Sequence, residues 1–175
     1  MAGRLYETDY MLTNEETRSG IASFDVDGGA PLTLGAVVST DKACKTIGKY
    51  ATGNKTVYIA YNPSFSYVLE DGQKVNPQLE GGVYTNIAGT TVSAFRPRTG
   101  VEFAVIMDNI DGSTEPTVGK FLEPKNGTLV YSIASTQTAD TPSFEVVDIQ
   151  TVRKPTGDVG GTKIKKFIVK TVYNV

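Results

Sequence analysis

Residues 101–134, VEFAVIMDNIDGSTEPTVGKFLEPKNGTLVYSIA, carry the clearest strand signals in the chain. Phe103, Val105 and Met107 alternate with Ala104, Ile106 and Asp108, the two-residue period of a strand. Asp111-Gly112 reads as a turn. Residues 120–122 and 129–131 then flank a loop holding Asn126-Gly127. Both residue types tolerate positive φ, so this is the strongest hairpin signal in the sequence. Two more strand-like runs, 144–152 and 164–173, are expected to pair onto that hairpin. Everything before Gly100 reads as loops and shorter strands laid around it. The fold class is therefore all-β: a β-sandwich or β-barrel-like domain preceded by an extended N-terminal arm.

Working outward toward the N-terminus, residues 1–20 form the expected arm and residues 21–175 a β-rich domain. Thr13 and Glu16 have capping-box spacing, so one helical turn is allowed, but no apolar face follows to hold a helix. Such a lead-in is expected to be extended and poorly ordered when free. It carries Leu5, Tyr6, Tyr10, Met11 and Leu12, more apolar anchors than a plain linker needs, and these five are the candidate partner-binding residues. Strands are expected over 21–27, 31–38, 55–61, 67–69 and 91–95. Lys42, Lys45 and Lys49 punctuate what reads as a solvated loop face. Residues 75–79 and 85–89 read as loops, and 96–100 as a turn into the central stretch. Beyond the hairpin, 135–143 and 154–162 are loops. Residues 163–173 close the chain as a strand whose Lys165, Lys166 and Lys170 suit an edge guarded against unwanted strand addition.

The 175 residues suffice to bury a core without staples. A net charge of −2 gives no global field for nucleic acid or an acidic membrane, so neither is expected as a partner. Cys44 is the only cysteine and fits a chain folding in a reducing cytoplasm. The first residues, MAGRLYETDYM, lack the apolar core of a secretion signal, and no run approaches the ~18 apolar residues of a membrane helix. The chain contains no histidine, which removes Ser-His-Asp and Cys-His catalysis and His-ligated zinc. It also contains no tryptophan, which weakens the case for a sugar-stacking platform.

Four patterns invite chemistry. Asp25-Val26-Asp27-Gly28 starts like a calcium loop, but Ala30 stands where that loop requires glycine and Ala36 where it requires the bidentate glutamate. A turn is the better reading, and no metal is expected. Asp108, Asp111, Glu115 and Glu123 gather around the central hairpin, and two carboxylates are what a glycosidase uses. Asp108-Asn109 and Asp111-Gly112 are equally turn chemistry, so no catalytic residue is assigned and the chain reads as a non-enzyme without cofactors. Asn54-Lys55-Thr56 and Asn126-Gly127-Thr128 match a glycosylation sequon and read as turns. Cys44, near Lys42 and Lys45, has no histidine to activate it.

The order of segments resembles a known group. "GAPLTLGAVVSTD", "TVYIAYNPS", "VYTNIAGTTVSAFRPRTGVEFAVIMDNIDG" and "VGKFLEPKNGTLVYSIAS", followed by a strand-loop-strand finish, are similar to small capsid decoration (cement, or auxiliary head) proteins of tailed bacteriophages. The similarity runs from about Ala30 to the C-terminus and leaves out the arm. It implies a β-rich protein made in the bacterial cytoplasm that binds the outer surface of the assembled head. Its partners would be the major capsid protein and copies of itself, a trimer being favoured at shell axes. The alternative is a carbohydrate-binding or host-attachment β-domain of a phage head fibre or tail, for which nine tyrosines are some support.

Overall fold

A computed structural model describes residues 16–37, 45–61, 67–68, 74–75, 85–86, 88–89, 91–153 and 163–175. The described chain is nearly all strand, as expected. Its fourteen strands in order are β1 (Glu16–Ala22), β2 (Val26–Asp27), β3 (Pro31–Val37), β4 (Lys45–Lys49), β5 (Tyr58–Tyr61), β6 (Tyr67–Val68), β7 (Lys74–Val75), β8 (Thr85–Asn86), β9 (Thr91–Arg96), β10 (Glu102–Ile106), β11 (Phe121–Pro124), β12 (Tyr131–Ala134), β13 (Ser143–Arg153) and β14 (Lys163–Tyr173). Turns and loops join them, and among the described residues the one helical element is a 3-10 turn at Met107–Asn109.

The described residues ahead of Gly100 are more than shorter strands laid around the central hairpin. Five of their strands build a barrel of their own, closed in the order β1-β4-β3-β5-β9. The ring closes because β1 pairs on both sides: antiparallel with β9 from Glu16↔Arg96 to Ile21↔Thr91, and parallel with β4 from Gly20↔Lys45 to Ala22↔Ile47. A five-stranded barrel has a narrow lumen. Its filling is correspondingly small: Ala22, Ala30, Ala60 and Ala94 are buried there with Leu32, Ile47 and Val92.

The second unit is a five-stranded antiparallel sheet, ordered β10-β14-β13-β11-β12. The expected hairpin is present, with Pro124 opposite Tyr131 and Phe121 opposite Ala134. Its far edge curls back: Ile110 bridges Tyr131, and the Asp111 N–H donates to the Tyr131 carbonyl at 2.8 Å.

The two units share a core, and the register on β5 and β9 shows how. Ala60 faces Ala94 and Ile59 faces Phe95. Successive residues point to opposite faces. The alanine pair therefore fills the lumen, while Ile59 and Phe95 turn outward onto the sheet and join Phe103, Leu122, Tyr131, Phe144, Phe167 and Val169. Edge-to-face ring contacts run through this layer from Phe95 to Phe103 (6.0 Å), Phe103 to Phe144 (5.1 Å) and Phe144 to Tyr131 (5.8 Å). Polar clasps flank it. The buried Tyr131 hydroxyl donates to the Gly29 carbonyl at 3.0 Å. Asn174 accepts from the Val57 N–H at 2.8 Å and donates back to the Val57 carbonyl at 3.0 Å and to the Pro97 carbonyl at 2.9 Å.

Several expectations are corrected at their boundaries. β1 begins at Glu16 and so takes the last residues of the expected arm; Glu16 is strand rather than helix because β9 offers it a ladder. The 21–27 strand breaks after Ala22 into a bend, with β2 pairing separately to β8 in what was read as loop. Lys45–Lys49 is a strand and not a loop face, since Ile47 is needed inside the barrel. The strand expected at 55–61 starts only at Tyr58, because Asn174 and Val175 occupy the backbone of Lys55 and Val57. β10 ends at Ile106, before Met107. Its residues 103–106 do not alternate in burial, being covered on both faces.

Candidate partner-binding surface

β13 and β14 are each eleven residues long, paired from Ser143↔Tyr173 to Arg153↔Lys163. Their neighbours are shorter. On the β14 side, β10 covers only Lys170 back to Lys166. On the β13 side, β11 covers Phe144 and Glu145, and the turn ahead of it adds two rungs at Val146: the Gly119 N–H donates to the Val146 carbonyl and the Val146 N–H to the Lys120 carbonyl, both at 2.8 Å. Past Val146 a β-bulge interrupts the register. Beyond it, residues 148–153 have β14 on one side and no strand on the other among the described residues. The distal hairpin thus leaves the body as a two-stranded ribbon. Asp148, Ile149, Gln150 and Thr151 are all exposed, and since successive residues face opposite ways, both ribbon faces meet solvent there.

Two apolar side chains mark the root of this edge. Val118 is 59% exposed in the turn beside Val146, and Ile149 is 36% exposed just past the bulge. The first rung is occupied from within: the Asp148 carboxylate accepts the Ile149 N–H at 2.8 Å and the Gln150 side-chain amide at 3.0 Å. Across the hairpin, Lys165 pairs with Glu115.

The expected edge guard is therefore misplaced. β14 lies inside the sheet between β10 and β13, and Lys166 is buried. Among the described residues open edges remain on β13 past Val146 and on β14 before Lys166, where Lys165 stands exposed. Sequence pattern alone gives no means of seeing this, because both strands read alike and only the lengths of their neighbours distinguish them. Ile149 and Val118 were missed for the same reason.

The candidate partner-binding residues Leu5, Tyr6, Tyr10, Met11 and Leu12 lie outside the described residues, as does Cys44. The structure does fix where their segment is rooted: Glu16 pairs with Arg96 at the end of the barrel where β9 hands the chain on to the sheet.

The four carboxylates of the central stretch are not gathered into one site. Asp111 pairs with Lys125 at 2.7 Å and Glu115 with Lys165. Glu123 is buried and accepts both the Thr138 N–H (2.7 Å) and its hydroxyl (2.8 Å), pinning the loop after β12. Asp108 stands exposed in the 3-10 turn. The Asp25 carboxylate accepts the Ala88 N–H at 2.8 Å, tying the calcium-like turn to the chain beside β8. The 126–128 sequon is a turn, as read, whereas Asn54–Thr56 follows a turn that its Asn54 N–H closes on the Ala51 carbonyl; Asn126 accepts the Thr52 N–H at 3.0 Å, and Gly127, at φ 70°, donates to the Tyr50 carbonyl.

Among the described residues no group of His, Cys, Asp or Glu is arranged to hold a metal. A depression of about 180 Å³ lined by Thr33, Leu34, Asn54, Lys55, Thr56 and Tyr58 is smaller than the ~300–1,000 Å³ of small-molecule sites. Among the described residues no helix is long and apolar enough to cross a membrane. No family model, curated protein or solved structure matches this chain.

Proposed function

We propose that this protein is a bacteriophage capsid decoration protein that binds the outer surface of the assembled head and stabilises it. The structural observation behind this reading is the distal part of β13, where Asp148, Ile149, Gln150 and Thr151 are exposed past the last rung to β11. Residues 1–15, ahead of β1 in the sequence, carry the five apolar anchor candidates. An open strand edge suits a protein that lies across a lattice of subunits rather than one that encloses a small substrate. The segments carrying the family resemblance also fall together. "YIAY" is β5, "AFRPRTG" is the end of β9 and the turn into the sheet, and "KFLEPKNG" is β11 with its turn, so the similar residues build the joint between barrel and sheet.

The mechanism is linkage. A protein that binds the mature shell better than the immature or broken one stabilises the mature state by that difference in affinity. Many identical copies make weak individual contacts sufficient. The arm residues Leu5, Tyr6, Tyr10, Met11 and Leu12 are the proposed contacts to shell subunits or neighbouring copies. The test is co-sedimentation with expanded, undecorated capsids of the same phage, with compact procapsids as control. Saturable binding to the expanded shell alone supports the reading; binding to neither shell removes it.

A further inference from the structure

We propose that Asn126 is a site of spontaneous deamidation, gated by the contact between residues 50–52 and the turn after β11, and that its isoaspartyl product unlocks that contact. Asn126-Gly127 is the only Asn-Gly pair in the chain. A following glycine has no side chain to shield its backbone nitrogen, so this pair closes most readily into a cyclic imide. The turn itself requires the vulnerable residue. Gly127 sits at φ 70°, where glycine rests without strain, although an added Cβ would meet nothing within 4 Å. Both residues are exposed, so water and hydroxide reach them.

The reaction needs no partner beyond water. Hydroxide takes the Gly127 amide proton, and the nitrogen attacks Asn126 Cγ. The N–Cγ bond forms, the Cγ–Nδ2 bond breaks, and Nδ2 leaves as ammonia with a proton from water, regenerating hydroxide. Water then opens the five-membered imide at one of its two carbonyls. Opening at Cγ gives aspartate on an unchanged main chain. Opening at the main-chain carbonyl gives isoaspartate, with the main chain rerouted through Cγ. The net exchange is ammonia out and water in, with no change of oxidation state.

In the folded chain both reacting groups are engaged from across the molecule. Asn126 Oδ1 accepts the Thr52 N–H at 3.0 Å, and the Gly127 N–H donates to the Tyr50 carbonyl at 2.8 Å. The second bond holds the proton that has to leave. The first holds the side chain, which must swing over the face of the Gly127 peptide, since that nitrogen's electron pair is delocalised in the amide plane. Residues 50–54 are fixed in turn. The Tyr50 ring lies in the shared core, its hydroxyl donates to the Asn54 carbonyl at 3.2 Å, and the Asn54 N–H closes on the Ala51 carbonyl at 3.1 Å. Ring closure therefore waits for the contact to open locally, and deamidation proceeds at its intrinsic rate multiplied by the open fraction. The two products differ in consequence. Aspartate still accepts the Thr52 N–H. Isoaspartate inserts one more C–C bond, about 1.5 Å, ahead of the Gly127 nitrogen. Gly127 then cannot keep its bond to Tyr50 while Thr128 keeps its own to the Lys125 carbonyl.

The experiment uses the full chain without capsids, so its outcome is separate from that of the decoration reading. The chain is aged in mildly alkaline buffer, folded or unfolded in guanidinium, and peptide mapping by mass spectrometry scores loss of the Asn126 amide and assigns the product. Thr52→Pro is the test variant. Thr52 and Gly53, the latter at φ 94°, are the central residues of the turn from Ala51 to Asn54, and proline suits the first of these places in a type II turn. The substitution thus removes the N–H that holds Asn126 and keeps the turn, with far-UV circular dichroism as the check. The folded parent should deamidate about tenfold or more slowly than the unfolded chain, and Thr52→Pro faster than the folded parent. The isolated isoaspartyl chain should melt below the parent, and Asn126→Asp with it. A folded chain deamidating as fast as the unfolded one would overturn the proposal. So would slower loss in Thr52→Pro, which would make the Thr52 N–H an activator of the amide, or an isoaspartyl chain that melts like the parent.

Discussion

Tyr131→Phe isolates the clasp between barrel and sheet, and its effect should depend on pH in a way a simple packing defect would not. The substitution keeps the ring and its edge-to-face contact with Phe144, and removes only the hydroxyl that donates to the Gly29 carbonyl at 3.0 Å. Both residues are buried, so the carbonyl loses its partner in a place water does not reach. Leaving such an acceptor unsatisfied costs about 1–3 kcal/mol. For a chain of this size each kcal/mol moves Tm by about 2–4 °C, so a drop of roughly 2–12 °C is expected near pH 7. Burial also pushes the Tyr131 hydroxyl well above its ordinary value of 10.0. A group whose folded pKa is raised contributes stability that is present below the unfolded value and is lost as pH rises through the folded one. Above pH ~10 the unfolded chain therefore releases a proton that the folded chain holds, and the unaltered protein loses about 1.4 kcal/mol per pH unit. The phenylalanine variant has no such proton, so the two melting curves should converge between pH 10 and 11. Scanning fluorimetry or circular dichroism at pH 7, 9, 10 and 11 reads this directly. A gap that stays constant or widens with pH would refute the reasoning, as would no gap at pH 7.

Other positions give further expectations. Thr171 Oγ1 is buried without a partner among the described residues, so Thr171→Val should leave thermal stability unchanged or raise it by up to ~1 kcal/mol in urea titrations. Gly29→Ala places a Cβ 2.8 Å from the Asn109 side-chain oxygen at a φ of +86°, and should cost more than about 1 kcal/mol by the same titration. Glu123→Ala removes the acceptor of both Thr138 donors; a loss of roughly 1.5–3 kcal/mol is expected, with the Thr138 amide exchanging faster with solvent. Lys55 holds Asp140 below the usual carboxylate range, with the Tyr173 hydroxyl assisting. The stability this adds is present above pH ~4 and fades as pH falls below it, and because the pair is exposed Asp140→Ala should barely change Tm at pH 7.

Where neighbouring residues decide structure, the sequence was legible. Asn126-Gly127 placed its hairpin, and β9, β13 and β14 follow their residue patterns to within about a residue. Where distant pairing decides, it was not. Lys45–Lys49 looks polar because it contributes one inward residue, Ile47, to a lumen too narrow for more. The alanines lining that lumen carry no strand signal, so although β3, β5 and β9 read as strands, their closure into a barrel with Lys45–Lys49 did not show. β1 was hidden in the same way, since its strand state comes from β9 and β4 on either side and not from its own composition. The candidate arm could be picked out by its apolar anchors. The ribbon edge could not, because openness is a property of a strand's neighbours.

The Asn174 clasp has a consequence for folding kinetics. Its carboxamide ties Val57, at the entry to β5, across a sequence separation of 117 residues. Local strand pairs form first, since closing a long loop loses entropy before any contact compensates for it. The barrel ring closes through β1, β4 and β9, but its joint to the sheet at Val57 and Pro97 is not locked until the residues after the last strand arrive. Barrel and sheet should then form in one cooperative step, and folding should be slow for a chain of this length.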